Sequence, residues 1–73
     1  LSEVTVKSEI NANVWKVLVQ AGDRVETDQE LIILESMKTE IPIAAPCDGV
    51  VRQVLVAEKD EVLERQALVV IDG

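Results

Sequence analysis

Sliding the sequence against itself by 37 places lays Val14 to Ser36 over Val51 to Gly73 without a gap, and that internal repeat constrains the fold more than any other feature. Eight of the 23 aligned pairs are identical: Val14, Val17, Leu18, Val19, Asp23, Val25, Gln29 and Leu31 meet Val51, Val54, Leu55, Val56, Asp60, Val62, Gln66 and Leu68. Leu34 over Ile71 and Glu35 over Asp72 add similar chemistry. The valines alone could match through composition, since 13 of the 73 residues are Val. The Asp and Gln could not, because they lie in polar stretches where composition forces nothing. A period near half the chain implies two similar halves, neither able to bury its apolar face alone. They are expected to pack as one sandwich, with residues 1–73 forming a single domain.

Within each half the pattern reads strand, turn, short strand, strand. Gly22-Asp23 and Lys59-Asp60 punctuate the apolar runs at equivalent places. Strands are expected at Val4 to Ser8, Val14 to Val19, Leu31 to Glu35, Glu40 to Ala44, Val50 to Val56 and Leu68 to Asp72, with short pieces near Val25 and Val62. The spacing Val14, Val17, Val19 breaks strict alternation and recurs at Val51, Val54, Val56, so a β-bulge or bend is expected at matching positions. β-branched packing must stabilise the domain, because a chain this short buries a modest share of its surface. Disulfides cannot help, since Cys47 is the only cysteine, and there is no histidine for a metal site. The fold class expected is all-β, two four-stranded antiparallel sheets related by a quasi-two-fold axis.

Seven basic against 14 acidic residues give a net charge of -7, which repels phosphate backbones and anionic lipid. Neither nucleic acid nor membrane is an expected partner. No apolar run approaches the roughly 18 residues of a membrane span. Leu1-Ser2-Glu3 does not begin a basic region followed by an apolar stretch. The chain is read as a cytoplasmic monomer. Because it opens on Leu1 and not on methionine, it is also read as processed or excised, and a place at the end of a larger polypeptide stays open.

Between Leu31-Ile32-Ile33-Leu34 and Ile41-Pro42-Ile43 lies the largely polar stretch Glu35-Ser36-Met37-Lys38-Thr39-Glu40, which reads as a tight hairpin with Lys38 at its tip. In the second half the equivalent of Glu35-Ser36 is Asp72-Gly73, where the sequence stops. The special chemistry therefore belongs at Met37 and Lys38. A lysine on a rigid two-stranded support is suited to enzymatic acylation, yet an ordinary lysine amine is almost wholly protonated near neutral pH, so activation must come from a separate enzyme. An ordinary solvated turn lysine is the alternative. Met37 is an apolar residue where a polar one is usual, read either as a partner contact or as folding back onto the core.

Glu35-Ser36-Met37-Lys38 followed by Glu40 resembles the biotinylation motif of biotin carboxyl carrier domains, in which a Met-Lys pair sits between the halves of a symmetric barrel-sandwich. Val17-Leu18-Val19 with Gly22-Asp23 and Val25 resembles that family's first-half signature, and Ala45-Pro46 with Gly49 its re-entry after the hairpin. The likeness covers nearly the whole chain and is nearest to small biotin or lipoyl attachment proteins without a protruding thumb. It implies biotin joined to Lys38 by a biotin protein ligase, with Glu35, Ser36, Met37 and Thr39 forming its surroundings. The resemblance also implies exchange of a carboxyl group between a biotin carboxylase and a carboxyltransferase. Two departures stand out: Thr39 replaces a usual second Met, and Ala12 a usual Gly before the first long strand. Lipoyl domains place an acidic residue before the lysine and a small one after it, so Met37 points to biotin while Thr39 leaves lipoate open. The departure at Ala12 is expected to alter a turn and little else.

Trp15, the sole aromatic, has Arg52 as its repeat partner, which suggests a position that can face solvent. A partner contact and a cap on one end of the core are both open readings. Cys47 reads as a small structural residue, and most of the carboxylates as a solvated surface. An enzyme site is not expected, for want of a base paired with a nucleophile. An unmodified interaction module remains the rival from another class.

Overall fold

The computed structural model describes residues 2–73. Eight strands follow one another: β1 (Glu3–Lys7), β2 (Ala12–Val17), β3 (Arg24–Val25), β4 (Glu30–Ser36), β5 (Thr39–Ala44), β6 (Gly49–Val54), β7 (Glu61–Val62) and β8 (Ala67–Asp72). They form two antiparallel sheets ordered β1-β8-β6-β3 and β5-β4-β2-β7. Adding 37 to each residue number turns β1 into β5, β2 into β6, β3 into β7 and β4 into β8, so each sheet draws strands from both halves. The two-fold relation read from the repeat is thereby the organising symmetry of the fold.

Both expected bulges are present at equivalent places. The β2–β4 register shifts between Val14 and Lys16, and the β6–β8 register between Val51 and Gln53. The extra residue in each case is Trp15 or Arg52, which leaves the alternation and turns outward. Apolar side chains on the inner faces make one core, dominated by Leu31, Ile32, Leu34, Leu68, Ile71 and the valines Val14, Val25, Val51, Val62 and Val69. Pro42 lies in β5 at the edge of its sheet, where a missing N–H costs least and blunts pairing with other chains.

The repeated Asp and Gln fix the turns. Asp23 accepts from the Gln20 N–H at 2.9 Å and Asp60 from the Ala57 N–H at 2.8 Å. Gln29 accepts from the Glu26 N–H at 3.1 Å and Gln66 from the Leu63 N–H at 3.0 Å. In each case a side-chain oxygen satisfies the N–H three residues earlier, which holds the reversal between ladder strands.

The symmetry also reaches segments where the sequence shows little of it. Asn11 accepts from the Glu64 N–H, while its counterpart Asp48 accepts from the Thr27 N–H, each at 2.7 Å. Ser8 and Ala45 are matched too: Ser8 bonds Gln66 and Arg65 through its backbone, and Ala45 bonds Gln29 and Asp28. Ala12 requires a correction. It does not lie in a turn but opens β2, buried and paired with Val62. Its counterpart Gly49 opens β6 and is the position that needs the missing side chain, since a Cβ there would stand 2.2 Å from the Asp72 carbonyl oxygen.

Candidate functional site

After a register shift between Glu30 and Ile32, the β4–β5 ladder runs regularly from Ile32 to its tip. Leu34 faces Ile41, Glu35 faces Glu40, and Ser36 faces Thr39, so only Met37 and Lys38 remain to make the turn. Both have positive φ, 51° at Met37 and 66° at Lys38. A two-residue loop with both residues left-handed matches the right-handed twist of its strands, and Asn-Gly is the pair that adopts it with least strain. Met-Lys pays a conformational penalty of about 1 kcal/mol or more per residue for the same geometry. Asp28, Lys59 and Arg65 carry a positive φ singly in other turns; only here do two such residues stand in succession, where Asn-Gly would relieve both, and that points to side chains kept for something other than folding.

Met37 does not fold back onto the core: it is 95% exposed. Lys38 is exposed as well, and no hydrogen bond or ion pair among the described residues holds its ammonium. An unencumbered amine with an apolar neighbour stands at the end of a rigid ribbon, open to a group or an enzyme approaching from outside. Ser36 and Thr39 close the ladder beneath the turn and fix its direction. Glu35 and Glu40 point to the outer face one pair further down, exposed and directly opposed. The structure thus brings together Glu35, Ser36, Met37, Lys38 and Thr39.

It sets Glu40, already part of the motif, directly opposite Glu35, a pairing that a sequence count also gives. With a two-residue turn at 37 and 38, paired numbers sum to 75, and 35 must face 40. Trp15 lies in the β2 bulge, 43% exposed, with the Lys16 Nζ 5.4 Å from its ring centroid. It does not cap the core. Cys47 is part-buried and packs beside the core after β5, away from the turn in sequence and in the ladder. No cluster of three metal-ligating side chains occurs among the described residues.

The family model described as "Biotin-requiring enzyme", for the biotin and lipoyl attachment domain, matches residues 3–71. The chain is 49% identical over 65 residues to the biotin/lipoyl attachment protein of Bacillus subtilis, covering 89% of each. It is also 53% identical over 51 residues to the dihydrolipoyllysine-residue acetyltransferase component of the pyruvate dehydrogenase complex of Pseudomonas aeruginosa, covering 70% of this chain and 9% of that one. Among solved structures it is similar to the urea carboxylase of Kluyveromyces lactis, with a TM-score of 0.91 and 32% identity, over 99% of this chain and 6% of that one. The chain therefore matches almost all of a small relative and a small fraction of two long ones.

Proposed function

The chain belongs to the biotin/lipoyl attachment family, and on that premise we propose that Lys38 is its attachment residue and biotin the group it carries. The observation that carries this reading is the turn: a strained, fully presented Met-Lys pair making the whole of the two-residue loop between β4 and β5. The site fits a covalent acyl group. Nothing packs over the Lys38 amine, and the exposed Met37 side chain offers apolar surface beside it.

For attachment, the Lys38 Nζ gives up a proton and forms an amide with an activated carboxyl carbon as the bond from that carbon to its leaving group breaks. Activation falls to a biotin protein ligase, which must enclose the turn to reach the amine. When bound, biotin supplies a ring nitrogen that takes up and releases a carboxyl group. Met37 provides the contact by which partner enzymes hold the tip, and Ser36 with Thr39 keep the ribbon rigid beneath it. Glu35 and Glu40 give that support its negative face. The domain acts as a carrier and not as a catalyst, serving a biotin carboxylase and a carboxyltransferase. Its contribution is effective concentration, because tethering turns a free diffusive encounter into a local search. We place it in the cytoplasm as a monomer, with residues 1–73 one attachment domain.

Lipoate on the same lysine is the second reading, supported by Thr39 after the lysine and by the likeness to the acetyltransferase component. Intact mass decides between them. The parent chain and Lys38→Arg are exposed separately to a biotin ligase and to a lipoate ligase. A biotin adduct on the parent, absent from Lys38→Arg, is expected; a lipoyl adduct alone would replace the biotin reading, and no adduct from either would favour the unmodified interaction module.

A further inference from the structure

The outward positions of the two sheets are related by the same two-fold, but one position has been exchanged between a cation and an aromatic. On the β1-β8-β6-β3 sheet, Glu3 directly faces Asp72, two acidic residues opposed across a ladder. Like charges so placed destabilise a sheet. Here Arg52, in the β6 bulge, lies across them: its Nη1 donates to the Glu3 carboxylate at 2.7 Å and stands 3.7 Å from the Asp72 carboxylate. On the other sheet the equivalents of Glu3 and Asp72 are Glu40 and Glu35, also directly opposed. The equivalent of Arg52 is Trp15. Arg52 accounts for all the ion pairs among the described residues, so the Glu35–Glu40 pair has no bridging cation of its own.

We propose that Trp15, Glu35 and Glu40 form a docking site for an arginine side chain presented by a partner protein, its guanidinium taking the place that Arg52 holds on the opposite sheet. The chemistry is already realised once in this molecule, by Arg52 on Glu3 and Asp72. Trp15 supplies what the internal site lacks, a ring that attracts cations: the Lys16 ammonium already stands 5.4 Å from its centroid, so an incoming guanidinium takes the opposite face or displaces Lys16. Arginine is favoured over lysine because a planar fork can bridge two carboxylates while stacking on an indole, whereas an ammonium presents one compact charge. The site lies two residues, roughly 7 Å of strand, below the turn, so a protein engaging it is carried to the Lys38 amine. The assignment holds whatever group Lys38 bears.

The test uses the unloaded chain and two probe peptides, acetyl-Gly-Arg-Gly-amide and its lysine counterpart, followed by NMR. The arginine peptide is expected to shift the Trp15 indole N–H and the Glu35 and Glu40 amides, at a concentration about two- to five-fold lower than the lysine peptide. Glu35→Gln and Glu40→Gln should each weaken that binding by a similar factor. Trp15→Arg should abolish it, by supplying the guanidinium internally. Equal shifts from both peptides spread over the acidic surface, or undiminished arginine binding by Trp15→Arg, would overturn the proposal. Should Trp15→Arg fail to fold, undiminished arginine binding by both Gln variants would overturn it alone.

Discussion

Two strand pairs in this molecule are symmetry equivalents, and only one is closed. Ser36 and Thr39 are joined by Met37 and Lys38. Their counterparts Gly73 and Ser2 meet in the same way, the Gly73 N–H donating to the Ser2 carbonyl at 2.9 Å, with no turn between them. The open pair demonstrates that the ladder does not need the turn in order to form. What the turn adds is a covalent ribbon end, and the residues in it are poor choices for the backbone they adopt.

The largest expected effect concerns the two strand openings, Gly49 and Ala12. Gly49→Ala would drive a methyl group against the Asp72 carbonyl, a backbone atom that cannot swing away. A loss of about 3 kcal/mol is expected, at the upper end of ordinary overpacking. Ala12→Gly in the equivalent strand removes one buried methyl and adds backbone freedom, for a loss of about 1 kcal/mol. Urea midpoints of the two variants check the ranking. Equal losses would mean that the halves are more alike at this point than the Gly49 contact implies.

The turn itself gives the next prediction, and its sign is opposite. Replacing Met37-Lys38 by Asn-Gly keeps the loop length and suits the two left-handed residues, so stability should rise by about 1–2 kcal/mol. Attachment should vanish with the amine. A double variant no more stable than the parent in thermal unfolding would show that the Met-Lys turn is unstrained, and would remove the argument that its residues are retained for function.

Much of this was legible in the sequence because a repeat constrains every position twice. The eight strands, the paired bulges and the exposed Met-Lys turn all follow from it. The ends of the long strands β2 and β6 were missed in the same way, whereas the expected β1 ran one residue too far, to Ser8, with no such error in its equivalent β5. Leu18-Val19 and Leu55-Val56 continue the apolar pattern, yet β2 and β6 end before them, at Val17 and Val54. Leu18 and Leu55 each keep one backbone bond, to Leu31 and Leu68, while Val19 and Val56 are buried as the chain bends toward its turn. Hydropathy reports burial and not ladder pairing, so it ran two residues too far. The equivalence of Asn11 with Asp48 was not legible, since only the accepting oxygen is preserved. Nor was the exchange of Arg52 for Trp15 readable as a missing counter-charge until the register set Glu35 opposite Glu40.

That Asn11–Asp48 pair yields the smallest effect and a sharper test of the symmetry. Both residues cap a turn through one oxygen, but Asp48 also accepts from the Thr27 hydroxyl at 2.9 Å, and the counterpart of Thr27 is Glu64, which has no hydroxyl. The Thr27 N–H, then the Thr27 hydroxyl, with a smaller contribution from the Arg24 charge, hold the Asp48 carboxyl below its ordinary value of 3.8. A depressed carboxylate contributes stability that is fully present above its unfolded value and is lost as pH falls through the folded one. Asp48→Asn keeps an acceptor for the Thr27 N–H and removes the charge. It should be slightly less stable than the parent at neutral pH, with the gap closing as the pH drops below 3.8. Denaturant midpoints of parent and variant across that range measure the gap directly. If it persists unchanged in acid, the carboxylate's charge contributes nothing, and Asn11 and Asp48 are equivalent caps. The reciprocal Asn11→Asp would then be silent to pH as well, whereas if charge matters it should introduce a weaker acid dependence, because the Glu64 N–H is its only donor.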